Sequence, residues 1–245
     1  MRNRSQSGIT LMELLVSMTL LSLLSVGMLF AMRVGLNSMG KTNEHFNRIR
    51  RVMGVERILT EQVAGFMATA GFCGSQGGPP TKFPFFQGDF QTMRFVSSYS
   101  LQEAARGYPR ILEYQVIPSE DGQSVRLIVN ESLYTGPLST GARCGGVAPD
   151  PTGVLTVLWR PVTPSPQSYV LADRLARCQF SFKEETLPDK PSDFWHSHWP
   201  KEFTPAAVRI DMAPLLSDPA HIQLPPVVAP FRVTRLPLSE YSDTN

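Results

Sequence analysis

The feature that most constrains this chain is a run of 24 residues, Ile9 to Met32, whose only charged side chain is Glu13. At about 1.5 Å of rise per residue, roughly 20 apolar residues cross the hydrocarbon core of a bilayer, so the run is long enough for one membrane-spanning helix. Arg2 and Arg4 precede it. By the positive-inside rule they hold the start of the chain on the cytoplasmic side and send everything beyond Arg33 across. An ordinary secretory signal has a shorter apolar core, followed by a small-residue cleavage site. Here the small residue, Gly8, stands before the run, within S-G-I-T-L-M-E-L-L. A carboxylate near the edge of the bilayer core is costly unless it is paired. Glu13 therefore either snorkels back to the interface or finds a positive partner.

Glycine, apolar run and glutamate together resemble the class III prepilin signal of type IV pilin-like proteins. The resemblance implies that a prepilin peptidase cuts after Gly8 and that Ile9 becomes an N-methylated amino terminus. It also implies that Glu13, fifth in the mature chain, faces the positive amino terminus of a neighbouring filament subunit. A charge neutralised only on assembly fixes register, because a mis-stepped subunit leaves a carboxylate alone in hydrocarbon. One position departs from the commonest family pattern, with Ile9 where phenylalanine usually follows the cut.

The remaining composition excludes several function classes. A formal charge of +2 over 245 residues, with no strong basic cluster, gives no footprint for nucleic acid. Arg48, Arg50 and Arg51 form the densest basic run and fall in a segment of helical period, where they read as a solvated face. The length leaves room for one ordinary globular domain plus an appendage. Cys73, Cys144 and Cys178 are far apart and lack C-x-x-C spacing, so neither a zinc site nor a thioredoxin-type pair is indicated. In an oxidising compartment Cys73 and Cys144 are the better disulfide pair, since both sit in glycine-rich stretches while Cys178 opens a strand-like run. Three buried, unpaired thiols are the alternative.

Apolar residues from Phe46 to Phe66 recur at near-helical spacing without proline, which extends the membrane helix into an amphipathic half. Gly35, Gly40 and Gly54 allow bends there. The expected divisions are a leader at 1–8, a transmembrane helix at 9–33, its amphipathic continuation at 34–68 and a strand-rich head at 69–245. Ala70 to Gly88 is rich in glycine and proline and reads as a loop. Beyond it, β-branched and aromatic runs at 92–97, 111–117, 124–129, 154–159, 179–183, 207–212 and 231–235 read as strands. S-E-D-G-Q at 119–123 joins two of them as a hairpin, with Pro118 closing the first. Prolines crowd the carboxyl half, which predicts loops and sheet edges. The fold class expected is α+β: a long amino-terminal helix, transmembrane then amphipathic, packed on an antiparallel, pilin-like head.

Blocks between Val154 and Leu236 are similar to the J-type minor pseudopilin of type II secretion: V-L-T-V-L-W-R, Y-V-L-A-D-R-L-A-R-C-Q-F-S-F, F-W-H-S-H-W-P and P-A-A-V-R-I-D-M. That resemblance implies a place at the tip of a periplasmic pseudopilus, anchored in inner-membrane lipid. The implied partners are I-type and K-type minor pseudopilins and the major pseudopilin. A-G-F-C-G at 70–74 is instead similar to a W-type minor pilin of type IV pili. Neither resemblance implies a cofactor. His196 and His198 in W-H-S-H-W, with Asp193 or Cys178, are the best candidate metal ligands, and Asp189, Ser192 and Asp193 the best calcium loop. The histidines read more simply as polar residues between two packing tryptophans, the loop lacks EF-hand spacing, and no catalytic or nucleotide-binding fingerprint occurs. The chain is expected to bind no metal and to be no enzyme.

Overall fold

The computed structural model describes residues 10–75, 78–120, 122–149, 153, 155–185, 194–215 and 225–233, leaving aside side chains at 37–52 and 75–79. It opens with one helix, α1 (Leu11–Ala64), and the chain divides into two compact units at Arg51 and Val52.

In the first unit, Leu11–Leu36 is long and apolar enough to cross a membrane. Its large apolar side chains are exposed all round, from Leu11 at 83% to Val16 at 48%. The hydroxyls of Ser17, Thr19, Ser22 and Ser25 donate to carbonyls three or four residues earlier. Hydrocarbon offers polar groups no water, so this internal pairing suits a lipid-facing span.

In the second unit the helix carries Leu59 and Val63, four residues apart on one face and fully buried. It ends at Ala64, short of the expected 68. At Gly65 the backbone meets strand residues so closely that a Cβ would lie 2.7 Å from the Ser97 hydroxyl, and Ser98 N–H donates to Gly65 O at 2.8 Å. Phe66 and Met67 are then a strand, β1 (Phe66–Met67).

There follow β2 (Ala70–Ser75), β3 (Gly78–Pro84), β4 (Gln87–Gly88), β5 (Thr92–Ser100), β6 (Ala105–Pro118), β7 (Val125–Leu133), α2 (Pro137–Gly141), β8 (Cys144–Pro149), β9 (Leu155–Trp159), β10 (Tyr169–Lys183), β11 (Trp195–His196), β12 (Ala207–Pro214) and β13 (Val227–Pro230). Among the described residues the main sheet is antiparallel, in the order β1-β5-β6-β7-β10-β12-β13, with β4 also on β5 and β11 also on β10. The fold is the α+β, pilin-like one. The 119–123 turn is as expected: Ser119 N–H donates to Ser124 O at 2.8 Å, and Gly122 takes a φ of +66° that glycine adopts without strain.

Alternation along the strands gives the sheet two faces. On the front, Leu59 and Val63 pack with Met93, Phe95, Leu112, Tyr114, Phe180 and Ile210. On the back, Val96 and Ile111 join Phe83, Phe85, Cys73 and Cys144 in a second cluster. This back layer comprises two small sheets, β2–β3 and β8–β9.

Residues 70–88 are mostly strand rather than loop: β2 and β3 pair, because Phe83 and Phe85 are buried on the back of the main sheet. Glycine belongs there for clearance, since a Cβ at Gly71 would lie 2.7 Å from the Phe83 ring. Among the described residues the last strand is Val227–Pro230, a proline-rich run at the sheet edge. Of the strand expected at 231–235, residues 231–233 are not strand and 234–235 lie outside the described residues. Phe231 follows β13 into the front core instead.

Candidate functional site

Gly8 and Ile9 lie outside the described residues. Glu13 stands in the first turn of α1. Its N–H donates to Thr10 O at 3.0 Å and to Thr10 Oγ1 at 3.3 Å. T-x-x-E has capping-box spacing, and a carboxylate in the first turn complements the positive end of the helix dipole. The Glu13 side chain is exposed among Leu11, Met12 and Leu14, and among the described residues it has no ionic partner. Apolar surroundings that cover this turn would leave the ionised carboxylate stranded unless they supply a positive charge.

Cys73 of β2 and Cys144 of β8 are joined by a disulfide, with Cα atoms 5.7 Å apart. Cys178 of β10 is free and buried in the front core. Burial pushes its thiol up to about 12, with Asp211 adding to the rise.

The head's strongest electrostatic feature was not anticipated. Arg94, 1% exposed, points to the back of the sheet, where its Nε lies 2.9 Å from Glu113 Oε1. Arg143 Nε lies 3.4 Å from the other oxygen of that carboxylate. Arg94 also donates to Arg160 O and stands 5.7 Å from the centre of the Trp159 ring. Burial lowers the Arg94 pKa, against the pull of Glu113. A charged residue among the apolar positions of 92–97 was the available signal. On the front face the Tyr114 hydroxyl donates to Gln62 Oε1. Burial, with Glu131, holds that phenol well above its ordinary value.

His196 and His198 are drawn to different carboxylates. His198 Nδ1 pairs with Asp89 Oδ1, whereas His196 Nε2 lies 4.0 Å from Glu184, which Lys201 holds at 2.6 Å. The hydrogen bond from Lys201 keeps the Glu184 carboxyl below its usual range. Trp199, which follows His198 in the chain, is buried, and its Nε1 donates to Phe203 O at 2.7 Å. Among the described residues no group of three or more His, Cys, Asp or Glu is placed to hold a metal ion. Asp189, Ser192 and Asp193 lie outside the described residues.

The amino-terminal geometry is that of an apolar helix with one carboxylate in its first turn that has no ionic partner among the described residues. A family model described as the prokaryotic N-terminal methylation motif matches residues 3–29, a stretch that includes this turn. The chain carries a type IV pilin-like amino terminus. That motif implies processing by a prepilin peptidase and pilus-type subunits as partners, and the apolar helix fits a single-pass anchor. No curated protein matches the chain.

Proposed function

We propose that this chain is a minor pseudopilin of type II secretion, a structural subunit rather than an enzyme, which sits at the tip of the periplasmic pseudopilus and helps initiate its assembly. The observation that carries the reading is the methylation motif over residues 3–29 coinciding with a lone, exposed Glu13 on an apolar helix. Under it, a prepilin peptidase removes residues 1–8 and methylates Ile9. The apolar span stays in the inner membrane, and the head is periplasmic. Glu13 then meets the amino terminus of a neighbouring subunit as the helices gather. The blocks similar to J-type pseudopilins coincide with β9, β10, β11 and β12, which supports I-type and K-type minor pseudopilins and the major pseudopilin as partners. One observation favours a W-type minor pilin priming type IV pili instead: A-G-F-C-G opens the disulfide-bonded β2.

Replacing Glu13 with Ala in the native host tests the reading. The variant should remain membrane-inserted with a folded head but should no longer be recovered in filaments or with the other tip subunits. Undiminished recovery overturns the proposal. The identity of the subunits recovered with the unaltered chain, pseudopilins or pilus subunits, decides between the two systems.

A further inference from the structure

We propose that the back layer, hairpins β2–β3 and β8–β9 with α2, is a redox-latched unit that releases from the sheet when the Cys73–Cys144 bond is cut, while the front core stays folded.

The topology makes this release affordable for the scaffold. β1 and β4 flank the first hairpin, and both pair with β5, at residues 96–97 and 93–94 respectively. β7 and β10 flank α2 and the second hairpin, and they pair with each other. Each excursion thus leaves the main sheet and re-enters it at a neighbouring position, so its loss removes no ladder of the main sheet. The two faces also bury separate clusters, and both bridged cysteines belong to the back one.

The latch is the disulfide because, among the described residues, it is the one covalent link between the hairpins, which also meet through ring contacts of Phe83 and Phe85 with Trp159 at 5.6 and 5.5 Å. It spans 71 residues of sequence, and closing a long loop is where a cross-link restricts the open chain most. Beside it, the Thr140 hydroxyl of α2 donates to Ala70 O at 3.1 Å, and Gly141 packs so tightly that a Cβ would lie 2.1 Å from Phe72 O. Beneath the layer, Val96 and Ile111 of the sheet pack with Phe83 and Phe85, and Arg143 of the layer reaches Glu113, which is itself paired with Arg94 within the sheet. Charges at such a contact regain hydration when the layer lifts, which offsets part of the lost attraction.

The chemistry is thiol–disulfide exchange with a dithiol. One thiolate of the reagent attacks a sulfur of the bridge, the Cys73–Cys144 bond breaks, and the second thiol closes the reagent into its own disulfide. Two electrons and two protons pass to Cys73 and Cys144. Cys178 serves as an internal control, because its thiol is buried in the front core.

The test uses the full chain in detergent micelles, treated with iodoacetamide at mildly alkaline pH with and without dithiothreitol. Mass spectrometry counts the alkylated cysteines. With reductant, Cys73 and Cys144 should label while Cys178 stays protected. In parallel, amides of β2, β3, β8 and β9 should exchange at least about tenfold faster, with β6, β7, β10 and β12 unchanged. Labelling of all three thiols together shows one cooperative unit and overturns the proposal. So does failure of Cys73 and Cys144 to label. The double variant Cys73→Ser, Cys144→Ser should show the same local loss of protection without reductant, and exchange as slow as in the unaltered chain overturns the latch.

Discussion

Leu11–Leu36 and Val52–Ala64 belong to one helix yet meet their surroundings in opposite ways. In the first stretch leucines are exposed on every side, Leu23 at 70% and Leu24 at 73%, whereas in the second Leu59 and Val63 are fully buried against the head's own sheet. A helix served by one sheet needs only an apolar stripe, and Leu59 and Val63 supply one. A helix that is apolar all round must be covered on all sides, by lipid or by other subunits. What distinguishes the two stretches is therefore where their solvent comes from, and it separates folding of the head from use of the anchor.

The contrast breaks most readily at paired positions. Leu59→Ala should cost the head about 2–5 kcal/mol, read as a lower urea midpoint for the full chain in micelles. Leu23→Ala should leave that midpoint unchanged. Equal shifts for the two variants would abolish the distinction. A smaller effect sharpens the buried side: Tyr114→Phe strips Gln62 Oε1 of its donor and should cost about 1–3 kcal/mol by the same measurement.

The smallest effect lies at the head's surface. Burial alone would raise the Asp173 carboxyl, but the Ser119 hydroxyl at 2.8 Å, the Arg174 N–H at 2.9 Å and the charges of Arg126 and Arg174 hold it below its ordinary value. A carboxylate depressed in the folded state stabilises above its unfolded pKa, and that contribution is lost as pH falls through the folded one. Asp173→Asn should therefore cost less than about 1 kcal/mol at neutral pH, discounted for an exposed site, and nothing once both states are protonated. A gap between variant and parent that persists in strong acid would contradict this sign.

Much of the fold was legible because strands 92–97, 111–117 and 207–212 bury alternate residues on the front face, and alternation is visible in sequence. The 119–123 turn was legible because glycine stands where the backbone needs positive φ. The hairpin at 70–84 was not. Its glycines and prolines resemble a loop locally, and only Phe83 and Phe85 packing on a distant sheet make it a pair of strands. β13 was misplaced by a few residues for a related reason, since proline disfavours central strands but not edges. At the candidate site, the position of Glu13 in an apolar helix could be read directly, because a lone charge in such a run stands out. The ion pairs around Arg94 could not, because Glu113 and Arg143 are brought to it from β6 and from the chain before β8, and pairing at that sequence distance leaves no local periodicity.

β13 is four residues long, two prolines precede it and Pro230 ends it, so among the described residues the outer rim at that side of the sheet offers few N–H groups to an incoming strand. Such a rim is a poor template for sideways polymerisation. Crowded β-rich domains that end on such a rim are less exposed to edge-to-edge aggregation than those with long, proline-free edges.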